Sequence, residues 1–408
     1  MKKKKLFIPV IKNKKRNTKS EEILFEEKTD VANETIEPFS IDSEKLSIKK
    51  VEKNLAPVTE EKQEKKLPVE PNKQKPVTDS DKIISPSEEI SSSQIEEKSI
   101  APAVKTEEVI APVKSFSNNF TSAEKNSWFV VSASSIGKTH VKSNIPCQDN
   151  HYCESIDSNW GIAICSDGAG SAENSQLGSK HVSNEIGVAF FKQLVIKNGW
   201  NKNNILPSQE EWSSAAREGF KQIFNSLEKS ADEKKIKLNS LACTINVIIY
   251  SPIGLLVSHI GDGRAGYCNE KGEWKSLIKP HKGEEANQTI FITSDRWMSD
   301  LNFTMSGVSV PESNVVAEKP TAFTMMTDGC EFYAFECSNM DATTNKWNDP
   351  NLPYPKFFNP LAAHLKSMVQ NNIAVRDANL KWEKFIEEGI EGLKNEPDDK
   401  TMILGILI

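Results

Sequence analysis

The chain has 408 residues and a formal net charge of −6 at pH 7, with 26% charged and 37% hydrophobic residues. This mild acidity suits a soluble protein, no nucleic-acid partner is expected for its folded part, and no run approaches the ~20 apolar residues that span a bilayer. The 7 cysteines are odd in number and never spaced as CxxC, so buried free thiols in a reduced, cytoplasmic setting are the simplest expectation.

Composition divides the chain. Before Asn126 there is no Gly, Cys, Trp, Tyr or His, and the stretch is mostly Lys, Glu, Ser, Pro and Val. Such a segment cannot bury enough apolar surface to offset the entropy of ordering it. Residues 1–124 therefore read as a disordered tail or linker, and the near-repeat "IAPAVK", "IAPVK" is extended, solvated linker chemistry. The basic tip "MKKKKLFIPVIKNKKRN" carries an apolar stretch too short for a secretion signal. It is either a tether for an acidic surface, lipid headgroups or nucleic acid, or a solubilising end, and its partner is not legible. Residues 125–408 read as one globular unit of roughly 280 residues, within the reach of a single core.

In the folded part, "WFVVSAS" (128–134) predicts a first strand and "WGIAICSD" (160–167) a second, largely buried one. Apolar residues at helical spacing from Asn174 to about Lys197 predict a helix burying Leu177, His181, Ile186, Ala189, Phe190 and Leu194. Ser208 and Glu211 form an S-x-x-E capping box that opens a second helix, with Ala215, Phe220, Ile223, Phe224 and Leu227 as its inner stripe. "LACTINVIIY" (241–250) and "LLVSHIGD" (255–262) predict a hairpin, and "RAGYC" (264–268) continues the meander through "NEKGEW". "TAFTMMTDG" (321–329) is another strand, "KFIEEGIEGLK" (384–394) a last helix and "TMILGILI" (401–408) a last strand. The order implies an α+β fold of sheets packed together with helices outside.

The chemistry lies in the aspartates. Asp167, Asp262 and Asp328 each end an apolar β-run, and Asp398 precedes one; Asp149 stands in "PCQDN". Any one Asp-Gly is an ordinary turn element. Several at matched strand ends, if they converge, must be neutralised by a cation. The cysteines and histidines lack zinc spacing, so all-oxygen ligation favours Mg²⁺ or Mn²⁺. The small residues after Asp167 would let a carbonyl and metal waters come close. Two such ions activate a water for hydrolysis of a phosphoester.

"PCQDN", "WGIAICSDGAGS", "HIGDGR", "MMTDG" and "DDKT", in this order, resemble the motifs of the metal-dependent protein phosphatase 2C family, in its bacterial branch, over about residues 127–408. The resemblance implies an αββα four-layer sandwich, two antiparallel sheets flanked by helices, with a two-metal centre. By this similarity Asp167 bridges both Mn²⁺ or Mg²⁺ ions, the Gly168 carbonyl binds one, and Asp328 with Asp398 binds the other. Asp149 orders a metal water, Asp399 rivals Asp398, and Asp262 and Gln148 support the centre from behind. Three departures stand out: Ala169 replaces a general-acid histidine, Gln148 a glutamate, and "THVKSNIPCQD" offers only His140 and Lys142 where a phosphate-binding arginine is expected, so Lys142 is carried as the phosphate contact. The implied activity is a serine/threonine phosphoprotein phosphatase working against a cognate kinase. The alternatives are a catalytically weak pseudophosphatase that binds phosphorylated partners, and a scaffold whose tail does the binding. His181 and His259 are expected as satisfied core histidines and Cys165 as a buried thiol. Residues 281–300 are expected as a flap whose Arg296 and Trp297 either touch substrate or pack.

Overall fold

A computed structural model describes residues 127–283, 288–341 and 346–408. The tail expected at 1–124 lies outside the described residues. Ten strands build the core: β1 (Trp128–Ser135), β2 (Asn150–Ser155), β3 (Gly161–Ser166), β4 (Ile245–Ser251), β5 (Gly254–Ile260), β6 (Arg264–Asn269), β7 (Trp274–Ser276), β8 (Glu312–Val316), β9 (Pro320–Met326) and β10 (Lys400–Leu407). They form two five-stranded sheets, in the orders β1-β10-β9-β6-β7 and β8-β5-β4-β3-β2. Every pairing within them is antiparallel.

Side-chain alternation sorts each strand between two cores. In β4, Ile248 and Tyr250 face the opposite sheet, meeting Phe323 and Met325 of β9 and Ile403 of β10. The intervening Ile245, Val247 and Ile249 face outward, onto α1 (Ser175–Ser183), α2 (Glu185–Asn198) and α3 (Gln209–Lys234). On the other sheet, Met402, Leu404 and Ile406 of β10 face α4 (Pro355–Gln370) and α5 (Val375–Glu388). The result is the expected αββα sandwich, with one core between the sheets and one under each helical layer. Both faces of the central strands are covered, so "INVIIY" and "TMILGILI" read as continuous apolar runs rather than half-buried alternations. A buried tryptophan ties each helical layer to its sheet: Trp212 Nε1 of α3 donates to the Val257 carbonyl at 2.8 Å, and Trp382 Nε1 of α5 to the Met402 carbonyl at 2.9 Å.

The Ser208–Glu211 capping box is present in full. The helix expected over 174–197 is instead two helices. Asn184 ends α1 and its side chain accepts the Ile186 N–H to open α2, which resets the helical phase. Leu177 and Ile186 are consequently 39% and 43% exposed, while Val182, Val188, Phe191 and Val195 are buried. The helix expected at 384–394 begins earlier, at Val375, and breaks after Glu388. Sequence patterning missed β2, β8 and α4. The first two are sheet-edge strands with only partial burial. Among the described residues no helix is long and apolar enough to cross a membrane.

Candidate active site

Antiparallel register collects the predicted carboxylates at one end of the sandwich. Ser135, the end of β1, lies opposite Lys400, the start of β10. Met326, the end of β9, lies opposite both Met402 of β10 and Arg264, the start of β6. In the second sheet Ser166 ends β3 opposite Asn150, which starts β2, and Ile260 ends β5 opposite Ile245, which starts β4. Asp149, Asp167, Asp262, Asp328, Asp398 and Asp399 all occupy the turns just beyond these ends.

Asp149 is the hub. Its Oδ2 accepts from Thr327 Oγ1 at 2.7 Å and from Thr401 Oγ1 at 2.8 Å, which binds it to the residue before Asp328 and to the second residue after Asp399. Thr401 Oγ1 in turn lies 2.6 Å from Ser134 Oγ, and Ser134 Oγ 2.7 Å from His151 Nδ1. With Thr401 donating to Asp149, the chain closes with Ser134 donating to Thr401 and the His151 Nδ1–H donating to Ser134. Asp149 Oδ1 is buried without a partner. Burial pushes the Asp149 carboxyl up to about 7, Asp399 and Asp398 adding to the rise while the two threonine hydroxyls oppose it.

Asp167 is gripped through its backbone: its N–H donates to Thr244 Oγ1 at 3.0 Å and its carbonyl accepts from Thr244 N at 2.8 Å. Burial, then the charges of Asp149, Asp328, Asp262 and Asp398, raise its carboxyl well above the ordinary range. Asp328 rises likewise, through burial and then Asp262, Asp398, Glu331 and Asp149. Asp262 is pushed up to about 6 by burial, although Lys282 pulls it down. Five carboxylates thus sense one another, four of them buried or half-buried, and a cation relieves that repulsion. Among the described residues, no three or more His, Cys, Asp or Glu side chains are drawn into a ready-made ion cage. The ligand chemistry nonetheless suits a hard divalent ion that keeps several waters: carboxylates held at raised proton affinity, plus two buried acceptors without partners, Asp149 Oδ1 and Gln148 Oε1.

The structure separates Asp398 from Asp399. Asp399 is 2% exposed, and its two oxygens accept the backbone N–H of Gly137 at 2.7 Å and of Gln148 at 2.6 Å. It ties down the loop that carries Asp149. Asp398 is exposed, and its charge reaches Asp149, Asp167 and Asp328. A family model described as protein phosphatase 2C matches residues 136–380. The chain belongs to the protein phosphatase 2C family.

The serine/threonine-protein phosphatase 3 of Escherichia coli (strain K12) is 29% identical over 286 residues, covering 69% of this chain and 98% of that protein. Among solved structures, a bacterial serine phosphatase is 14% identical with a TM-score of 0.41, covering 68% of this chain and 97% of that one. The serine/threonine phosphatase Stp1 from Staphylococcus aureus is 13% identical with a TM-score of 0.41, covering 70% of this chain and 98% of that one.

In this phosphatase 2C domain Gly168 has a packing role that the sequence did not disclose. A Cβ there would stand 2.7 Å from the Gln148 carbonyl oxygen and 3.0 Å from Ser175, so protein fills the space expected for metal waters. The backbone bridge between Gly168 and Cys243 is made through Ala169 N and Asp167 O, which leaves the Gly168 carbonyl out of it. Ala169 is 7% exposed and offers no proton. Lys142 is exposed on the short helix Lys138–Ser143. Cys165 lies in the core between the sheets, with Asn246 Nδ2 3.6 Å from its sulfur. His181 meets Ser226 at 2.8 Å. His259 is fully buried, bonded to Glu312 at 2.8 Å and stacked on His281 at 4.2 Å. Trp297 packs edge-on against Phe220 and Phe224 and is fully buried, so of the two readings of this residue packing holds; Arg296 lies over Phe303 at 4.2 Å.

Sequence reasoning passed over the threonines that hold Asp149, although both stand inside the quoted motifs "MMTDG" and "DDKT". It also missed a buried ion network behind Asp262 and Asp328. Arg264, fully buried, donates from Nε to Glu331 at 2.8 Å and from its two terminal nitrogens to Asp349 at 3.1 and 2.7 Å, while Lys282 Nζ reaches Glu331 at 3.1 Å. Its acidic partners lie far apart along the chain, and no local pattern announces them.

Proposed function

We propose that this phosphatase 2C chain hydrolyses phosphoserine or phosphothreonine in proteins with two Mn²⁺ or Mg²⁺ ions. One observation carries the reading: Asp149, Asp167, Asp328 and Asp398, from four separate strand ends, crowd together, and burial joined by repulsion from the neighbouring carboxylates raises the proton affinity of the first three. Asp167 is the member that senses all the others, which suits it to bridge two ions. The Gly168 carbonyl would join one ion and Asp328 with Asp398 the other, with Asp262 and Gln148 behind them. Divalent ions bound there supply Lewis acidity toward phosphoryl oxygens and a water acidic enough to attack phosphorus near neutral pH.

The protein's own groups do the positioning. Thr327 and Thr401 hold Asp149 by Oδ2 and leave Oδ1 free to orient a water. Thr244 fixes the Asp167 backbone, and Asp399 fixes the loop through Gly137 and Gln148. The serine/threonine substrate class follows the named relative, and a Ser/Thr kinase is the opposing partner. All the cysteines are free, which suits a reducing cytoplasm. The test is hydrolysis of p-nitrophenyl phosphate and of a phosphothreonine peptide with added Mn²⁺. Activity should fall by about 1000-fold in Asp167→Asn, the several kcal/mol that metal-ion charge stabilisation supplies. A folded wild-type protein that binds the phosphopeptide but never turns it over would sink the enzyme reading in favour of a binding module.

A further inference from the structure

An alkyl phosphoester leaves as a poor alkoxide unless a proton meets it, and Ala169 cannot supply one. The described histidines narrow the search. His151 is committed to Ser134, His181 to Ser226, and His259 and His281 to each other and to Glu312, Gly261 and Ser309. His364 belongs to α4. His140 is different. It lies on the short helix Lys138–Ser143, whose first amides dock on the 396–399 turn: Lys138 N donates to the Glu396 carbonyl at 2.9 Å and Thr139 N to the Pro397 carbonyl at 3.0 Å.

This docking sets His140 Nδ1 2.9 Å from Asp399 Oδ1, close though not aligned as a hydrogen bond. Nδ1 is buried while 14% of the side chain is exposed. Asp399 sits beside Asp149, whose carboxyl it perturbs, and next in sequence to Asp398. A carboxylate beside one ring nitrogen of an imidazole leaves the other nitrogen available for proton transfer.

The geometry points to His140 as the leaving-group acid of this phosphatase, backed by Asp399. This rests on the phosphatase reading above. As a water oxygen forms its bond to phosphorus, the bond from phosphorus to the serine or threonine oxygen breaks and its electron pair goes to that oxygen. The oxygen takes the Nε2 proton of the imidazolium and departs as the alcohol. The neutral ring regains its proton from solvent.

Leaving groups test this directly, because p-nitrophenolate is a stable anion that departs unprotonated. His140→Asn in the full chain, with Mn²⁺, should lower kcat/KM for a phosphoserine peptide by about 100-fold or more, in the range of general-acid catalysis. Its p-nitrophenyl phosphate activity should stay within about threefold of wild type, since that step has no proton to supply. Equal losses on both substrates would overturn the assignment and make His140 a phosphate contact or a structural residue. No loss on either would overturn it too. His140→Gln, checked by circular dichroism, guards against a folding defect peculiar to the first variant. Wild-type protein inactive on both substrates would refute the phosphatase reading and this one together, whereas an active wild type with uniform losses refutes this one alone.

Discussion

Asp149→Asn should stabilise the metal-free protein while abolishing its activity, and only at high pH. Asp149 is 4% exposed, with its carboxyl pushed from an ordinary 3.8 to about 7. At about 1.36 kcal/mol per tenfold change in proton affinity, holding it ionised in the fold costs about 4 kcal/mol. The sign follows from proton binding. Between 3.8 and about 7 the folded state keeps a proton that the unfolded chain has lost, so stability falls as pH rises through this window and stays low above it. Asparagine removes that dependence. Its carbonyl can still accept from Thr327 and Thr401, and its amide takes the place of Oδ1, where a donor faces the neighbouring carboxylates. If half the cost is recovered, the gain is about 2 kcal/mol, or about 4–8 °C in Tm at pH 8. The assay is thermal unfolding in EDTA at pH 5 and pH 8, with and without Mn²⁺. The advantage should shrink toward zero at pH 5, and Mn²⁺ should favour the wild type instead. A variant equally shifted at both pH values would refute the argument that ionisation, and not packing, sets this energy.

Further outcomes follow from the same contacts. Thr401→Val removes one of the two hydroxyls that hold the charged form of Asp149, so the Mn²⁺ concentration for half-maximal activity should rise several-fold; an unchanged metal titration would refute that role. Trp297→Ala should lower stability by about 3–5 kcal/mol in denaturant melts, because the indole is fully buried among Phe220 and Phe224; activity lost at unchanged stability would restore a substrate contact. Arg264→Met leaves Glu331 and Asp349 without their buried partner and should cost about 3–5 kcal/mol, visible as a lowered urea midpoint. Gly329→Ala should fold poorly, as its Cβ would stand 1.9 Å from the Asp399 carbonyl oxygen, and soluble yield on expression reads this directly.

How much was legible depends on how far each interaction reaches along the chain. The central strands and the capped helix at Ser208 declare themselves through burial and capping signals contained within a few residues. The α1–α2 break did not, because Asn184 interrupts a pattern whose apolar count alone still looks helical. Strands β2 and β8 lie at sheet edges, where partial burial erases the alternation that would mark them. The short motifs located Asp149, Asp167 and Asp328, but the rivalry of Asp398 and Asp399 could not be resolved from adjacent identical residues.

The sequence by itself determined a layered α+β fold and the aspartates at strand ends, since each of these is written in a local run of residue types, and the ordered set of motifs carried the resemblance to the family and, through it, the two-sheet sandwich. Only the tertiary structure decided what those aspartates do to one another. Register brings turns hundreds of residues apart to one end of the sheets, and burial there makes their charges interact strongly. It also decided that Gly168 is small so that Gln148 and Ser175 can approach, and that Asp399 binds backbone amides while Asp398 stays exposed beside the cluster. Proton affinity and close approach are properties of the neighbours a residue meets in space, and a linear pattern does not list them.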